Sequence, residues 1–182
     1  WILSSVICDF ENYPQEWMSG SGRFSFDSKN GMSITDSEHI SGEKSLHYSY
    51  NKEVNDCNPY AYAQLYNVND ITVNGDIPLI LDENSAYTVK FKYKLKQSAG
   101  VRIDFVSAAR TSYWGYRNTL ATVTVSRDDA GGDWFEKTLF FQTGKFTRDE
   151  WTQGDAMYMV VNAGGTVTDI CIDDIELTGM GD

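Results

Sequence analysis

Between Tyr87 and Leu95 the chain takes strict turns: Tyr87, Val89, Phe91, Tyr93 and Leu95 alternate with Thr88, Lys90, Lys92 and Lys94. A side-chain period of two places one set on each face of a pleated strand, so one face is buried and the other wet. The pattern recurs in Val101, Ile103 and Phe105, and in Ala121, Val123 and Val125 against Thr122 and Thr124. Further strands are expected over 3–10, 22–28, 45–51, 60–67, 135–142, 157–162 and 170–178. Turn signals separate them, among them Lys29-Asn30-Gly31, Asp82-Glu83-Asn84, Ala130-Gly131-Gly132 and Ala163-Gly164-Gly165. No segment carries a long apolar stripe at helical spacing. About ten strands of this length predict an all-β fold: an antiparallel β-sandwich, or jelly roll, of two packed sheets.

The length of 182 residues suits one domain. A single module is expected over 1–178, with 179–182 opening a linker. The start at Trp1, with neither Met nor a leader, reads as a module cut from a longer precursor. Fifteen Lys and Arg against twenty-six Asp and Glu leave a net charge of −11. That argues against nucleic acid and an anionic membrane surface as partners, since both need clustered positive charge. No apolar run approaches the ~20 residues that span a bilayer. The unusual figure is 14% aromatic residues, with eleven Tyr and five Trp, because packing alone does not call for so many.

Cys8, Cys57 and Cys171 are odd in number and lack metal-finger spacing. Cys8 falls on the first strand and Cys171 on the last. A disulfide and two buried thiols are both open, the thiols being preferred; Cys57 is expected free in a polar loop. His39 and His47 form no ligand or catalytic pattern and read as ordinary loop or surface residues.

On the last strand Cys171, Ile175 and Leu177 share one parity, and Asp173 interrupts their row. A carboxylate facing a core needs compensation, either a hard cation with oxygen ligands or backbone hydrogen bonds; spacing alone leaves both open. Three elements then bracket the chain: Phe10-Glu11-Asn12, Gly42-Glu43-Lys44-Ser45-Leu46 and Ile172-Asp173-Asp174-Ile175-Glu176-Leu177. Together they resemble the β-sandwich carbohydrate-binding modules of plant-cell-wall hydrolases, of the family 4, 16 and 22 type. The resemblance implies a structural calcium ion held by Glu11, Asp173 and carbonyls around Gly42 and Lys44, with Asp9 beside it.

Sugars present hydroxyl groups around flat, weakly apolar faces, so a binder needs aromatic rings and directional polar groups on a rigid surface. In Tyr60-Ala61-Tyr62-Ala63-Gln64-Leu65-Tyr66 the small apolar residues suit a core, leaving Tyr60, Tyr62, Gln64 and Tyr66 on the opposite face. Cross-strand ladders or cover by a loop would also account for these tyrosines. Arg102 and Asp104 are expected on a solvent face, binding hydroxyls or pairing with neighbours. Trp114, Tyr116 and Arg117 crowd a loop, with Trp114 the first choice of stacking platform. In family 22 modules a Tyr followed four residues later by Glu lines the cleft; here the pair is Tyr158 and Asn162, which weakens a xylan assignment. Trp17, Trp134 and Trp151 read first as core or loop anchors.

The paired-carboxylate strand of jelly-roll glucanases, E-x-D-x-x-E, is absent, and no Ser-His-Asp, G-x-S-x-G or phosphate-loop pattern occurs. No catalytic residue is assigned. The expectation is a secreted, extracellular, non-catalytic module binding a plant-wall β-glycan such as β-glucan or xylan. It would be covalently attached to a hydrolase or scaffold. A jelly-roll lyase or glycosidase and a protein-adhesion module are the alternatives.

Overall fold

A computed structural model describes residues 5–13, 26–54, 56–66, 81–109, 117–144 and 155–179. Among the described residues ten strands make two antiparallel sheets, as the alternation predicts. They are β1 (Ser5–Cys8), β2 (Met32–Thr35), β3 (Ser45–Tyr50), β4 (Tyr60–Gln64) and β5 (Ala86–Gln97), followed by β6 (Val101–Ala109), β7 (Arg117–Val125), β8 (Trp134–Gln142), β9 (Asp155–Asn162) and β10 (Thr168–Gly179). One sheet runs β2-β3-β10-β5-β8, with β1 also paired to β10. The other runs β4-β9-β6-β7.

The core lies between the sheets. Tyr87, Val89, Phe91, Tyr93 and Leu95 of β5 are buried against Ile103 and Phe105 of β6 and Met157, Met159 and Val161 of β9. Phe91 and Phe105 meet across the gap with ring centroids 5.7 Å apart. Outside the core, Lys90, Lys92 and Lys94 of β5 pair with Glu176, Asp174 and Glu38. A single turn of helix, α1 (Arg127–Ala130), joins β7 to β8; the Ser126 side chain caps it by accepting from the Asp128 N–H.

Strand β10 is the organising element. β5 runs along one edge, while β3 and β1 share the other end to end, β3 facing Thr168–Ile172 and β1 facing Ile175–Leu177. At the junction the register breaks into a bulge, with Asp174 at φ 50°. This corrects the parity read from sequence. Ile170 and Ile172 face the core before the bulge and Ile175 and Leu177 after it, so Cys171 and Asp173 lie on the outer face. Cys8 is in the core, on the other side of the sheet, and the three cysteines are free thiols. Burial is the main reason that the thiols of Cys8 and Cys171 are raised, Cys171 to about 11.

One expected element differs. Of the strand expected over 22–28, Phe26 makes only an isolated bridge to Ala63, Ser28 opens a 3-10 turn, and 22–25 lie outside the described residues. The strand β2 follows instead. Gly31, between turn and strand, sits at φ 97° with the Ser49 carbonyl 2.1 Å from where a Cβ would stand. Only glycine fits there.

Candidate functional site

The outer face of the four-stranded sheet gathers most of the described ligand-site residues. Register sets them in rows: Tyr60, Asn162, Arg102 and Thr124; then Tyr62, Val160, Asp104 and Thr122; then Gln64, Tyr158 and Val106. Tyr62, Val106, Tyr158 and Val160, with Tyr60 against them, form a second apolar cluster separate from the core. Tyr62 and Tyr158 meet edge to face at 5.9 Å. The rings are therefore on the expected face, but they are not openly displayed: Tyr62 is 8% exposed and Tyr158 and Gln64 are 0%. They cover one another and the two valines.

Polar groups border the cluster. The Arg102 Nε lies 3.3 Å from Asp104 Oδ2, and Arg102 is 53% exposed. The Thr122 hydroxyl donates to Asp104 Oδ1 at 2.8 Å. Asn162 Oδ1 accepts the Gly164 N–H at 2.8 Å, which fixes the amide's orientation. Thr122 and Thr124 belong to this face too; their alternation with Val123 and Val125 signalled a wet surface but not its neighbours. The Gln64 side chain is fully buried, and neither its Oε1 nor its Nε2 has a hydrogen-bond partner among the described residues.

Tyr66 departs from the expectation. The strand ends at Gln64, and past it the alternation no longer applies. The Tyr66 ring turns into the core against Tyr13, with centroids 5.5 Å apart. Its hydroxyl accepts the Phe10 N–H at 3.1 Å and donates to Asp9 Oδ1 at 3.3 Å. Burial is the main reason that its phenol is pushed well up. Trp114 and Tyr116, with Trp17 and Trp151, lie outside the described residues; Arg117 opens β7 and its side chain is likewise not described.

The second constellation lies where β1 ends beside the β10 bulge. Phe10 adopts a left-handed φ of 63°, turning the chain so that Glu11 reaches the loop before β3. Glu11 Oε1 there accepts the N–H groups of Glu43 at 2.8 Å and Lys44 at 3.0 Å. Asp173 is 0% exposed and accepts from Ile40 and Ser41 through Oδ2 and from Asp174 through Oδ1. Burial raises its carboxyl to about 6. Asp9 Oδ1 accepts the Glu11 N–H. Both principal carboxylates are thus held by backbone donors, and no group of three or more His, Cys, Asp or Glu side chains gathers among the described residues. A cation here would draw on backbone carbonyls for much of its shell.

No family model matches the chain, and no curated protein does. Solved structures share its fold. The chain is similar to the CBM22-1 xylan-binding domain of Paenibacillus barcinonensis Xyn10C, at 12% identity and a TM-score of 0.53, covering 99% of this chain and 94% of that one. It is also similar to the CBM22-1–CBM22-2 tandem of the same protein, at 11% identity and a TM-score of 0.53, covering 96% and 49%. An arabinose-bound GH51 α-L-arabinofuranosidase matches at 11% identity and a TM-score of 0.58; 98% of this chain covers 27% of that one. The fold is therefore that of β-sandwich carbohydrate-binding modules, and it also occurs within an enzyme chain.

Proposed function

We propose that this chain is a non-catalytic carbohydrate-binding module that takes a plant-wall β-glycan on the outer face of β4-β9-β6-β7. The observation that carries the reading is a tyrosine cluster on the sheet face turned away from the core, edged by Arg102, Asp104, Asn162 and Gln64. Aromatic rings beside directional donors and acceptors are what a sugar requires. Similarity to a xylan-binding domain supports the class of ligand. In this reading Tyr60 supplies ring surface, backed by Tyr62 and Tyr158, with Trp114 and Tyr116 expected to add rings from the segment ahead of β7. Arg102, Asp104, Arg117 and Asn162 bond hydroxyls. Little ring surface is exposed on this face, so affinity is modest. Secretion and attachment to a hydrolase or scaffold belong to the same proposal.

A structural calcium ion at Glu11 and Asp173 completes it. Asp173 is fully buried without an ion pair among the described residues, and a divalent cation would offset that desolvation. Glu11, Asp173 and turn carbonyls near Gly42 and Lys44 would hold it, with Asp9 alongside; the ion would fix the turn and perform no chemistry.

Affinity electrophoresis against xylan, mixed-linkage β-glucan, xyloglucan, mannan and pectin tests the function, with reducing-sugar release followed in the same samples. Retardation by at least one neutral β-glycan without sugar release is expected. Tyr60→Ala should weaken it roughly 2–10-fold at unchanged melting temperature, as expected for one lost ring contact. Sugar release would favour the enzyme alternative, and no retardation by any polymer would end the proposal.

A further inference from the structure

Strand β8 ends the six-stranded sheet and, among the described residues, pairs only with β5. Its other edge is a ladder of backbone N–H and C=O groups, and such a ladder is a template for a further strand. The side chains make the template a strong one. β8 runs nine residues, Trp134–Gln142, with neither Gly nor Pro, and residues 138–142 carry no charge. Of the exposed large apolar side chains among the described residues, Phe135 and Phe140 both stand on this strand, at 37% and 60%. The other strands that end a sheet are less inviting. β2 and β4 have four and five residues, and β7 exposes Thr122 and Thr124.

One residue breaks the pattern. On the face of β8 turned to the core, Phe135, Leu139 and Phe141 stand opposite Tyr93, Val89 and Tyr87, while Lys137 stands opposite fully buried Phe91. An apolar side chain would suit that position better. The lysine instead passes its Nζ 5.5 Å from the centre of the Phe135 ring and brings it 3.3 Å from Asp129 of α1. Both side chains of this pair still meet water, at 29% and 38% exposed.

A strand added beside β8 would set its own core-facing side chain about 5 Å from Lys137 and take away much of that water. The β8 of a second copy is the worst such neighbour. Pairing keeps core-facing residues opposite core-facing ones. Lys137 would then meet Phe135, Leu139, Phe141 or the other copy's Lys137. In each register an ammonium faces an apolar side chain or its own charge.

We infer that Lys137 is the barrier that stops β8 from pairing with the β8 of a second copy, and that it keeps the chain monomeric despite a long apolar edge.

Sedimentation velocity from micromolar to millimolar protein tests this. The wild-type chain should sediment as a monomer throughout. Lys137→Met keeps the length of the stem and its contact with Phe135 but removes the charge. It should self-associate with an apparent Kd at least ~10-fold below that of any wild-type association. Lys137→Leu, a second uncharged variant, should do the same, whereas Lys137→Arg should stay monomeric. Amide hydrogen exchange locates the contact: in the associating variants, protection of β8 should rise with protein concentration. Monomeric behaviour of both uncharged variants would overturn the inference. Association that leaves β8 unprotected would do so too, as would equal association by Lys137→Arg or by the wild type through β8.

Discussion

Gly42 and Glu11 meet where two loops close on the sheet. Gly42 sits at φ 60°, and a Cβ there would stand 2.0 Å from Glu11 Oε1, the atom that accepts from Glu43 and Lys44. Alanine would incur the left-handed penalty of about 1 kcal/mol and also push Glu11 off both donors. Gly131 has nearly the same φ, 61°, with nothing within 4 Å of its would-be Cβ. Urea unfolding should therefore show Gly42→Ala losing ~2–3 kcal/mol and Gly131→Ala only ~1. Equal losses would mean that the close approach to Glu11 contributes nothing. Phe10 is set in its left-handed conformation with the Tyr66 hydroxyl on its N–H, so a residue expected to touch ligand instead braces the turn.

The lysines of β5 present a regular charged row, and Glu38, from the loop before β3, spans two of them. Its carboxylate oxygens lie 3.1 Å from Lys94 and 3.1 Å from Lys96. The hydrogen bond from Lys94, then that from Lys96, holds the carboxyl below its ordinary 4.5. A depressed folded value means that the stabilisation is present above the unfolded value and is lost as pH falls through the folded one. Glu38→Gln should then cost ~0.5–1 kcal/mol at pH 7 in low salt, because the group is partly exposed. The difference from wild type should fade on acidification to about pH 3 and in roughly 1 M salt. A difference independent of both would assign the effect to packing.

The same elements show what a sequence can disclose. β5 was legible because its twelve residues alternate without a fault and each face has one chemistry. β2 was not, because Met32-Ser33-Ile34-Thr35 is four residues long and follows a glycine turn. The parity of Asp173 was misread because a bulge leaves no mark in an alternating pattern until a partner strand exposes the slip. Tyr60, Tyr62 and Gln64 were placed on the correct face by period two, but their burial depends on neighbours from β6 and β9 that no local pattern announces.

Across the whole molecule the two sheets carry different burdens. The six-stranded sheet holds the charged row and the Glu11–Asp173 junction; the four-stranded one carries the proposed glycan face, with the core between them. Identity of 11–12% to solved relatives transfers the architecture and not the side chains of any one site, so the ligand has to be argued from this chain's own face. The calcium proposal belongs at this level, because the ion would join segments from both ends of the chain. Chelation should lower the melting temperature by roughly 5–10 °C, the effect of losing ~2–3 kcal/mol of linked binding energy, with little direct change in glycan affinity. An unchanged melting temperature would dismiss the ion.

The pairing of β1 with β10 sets Ser5 beside Leu177 in antiparallel register. Tension applied between these two strands at that shared end would peel them like a zipper, loading the ladder one rung after another instead of all rungs at once. Under such a load the seam that leads to the Glu11 turn would part first, and the face on the opposite sheet would be the last to feel the pull.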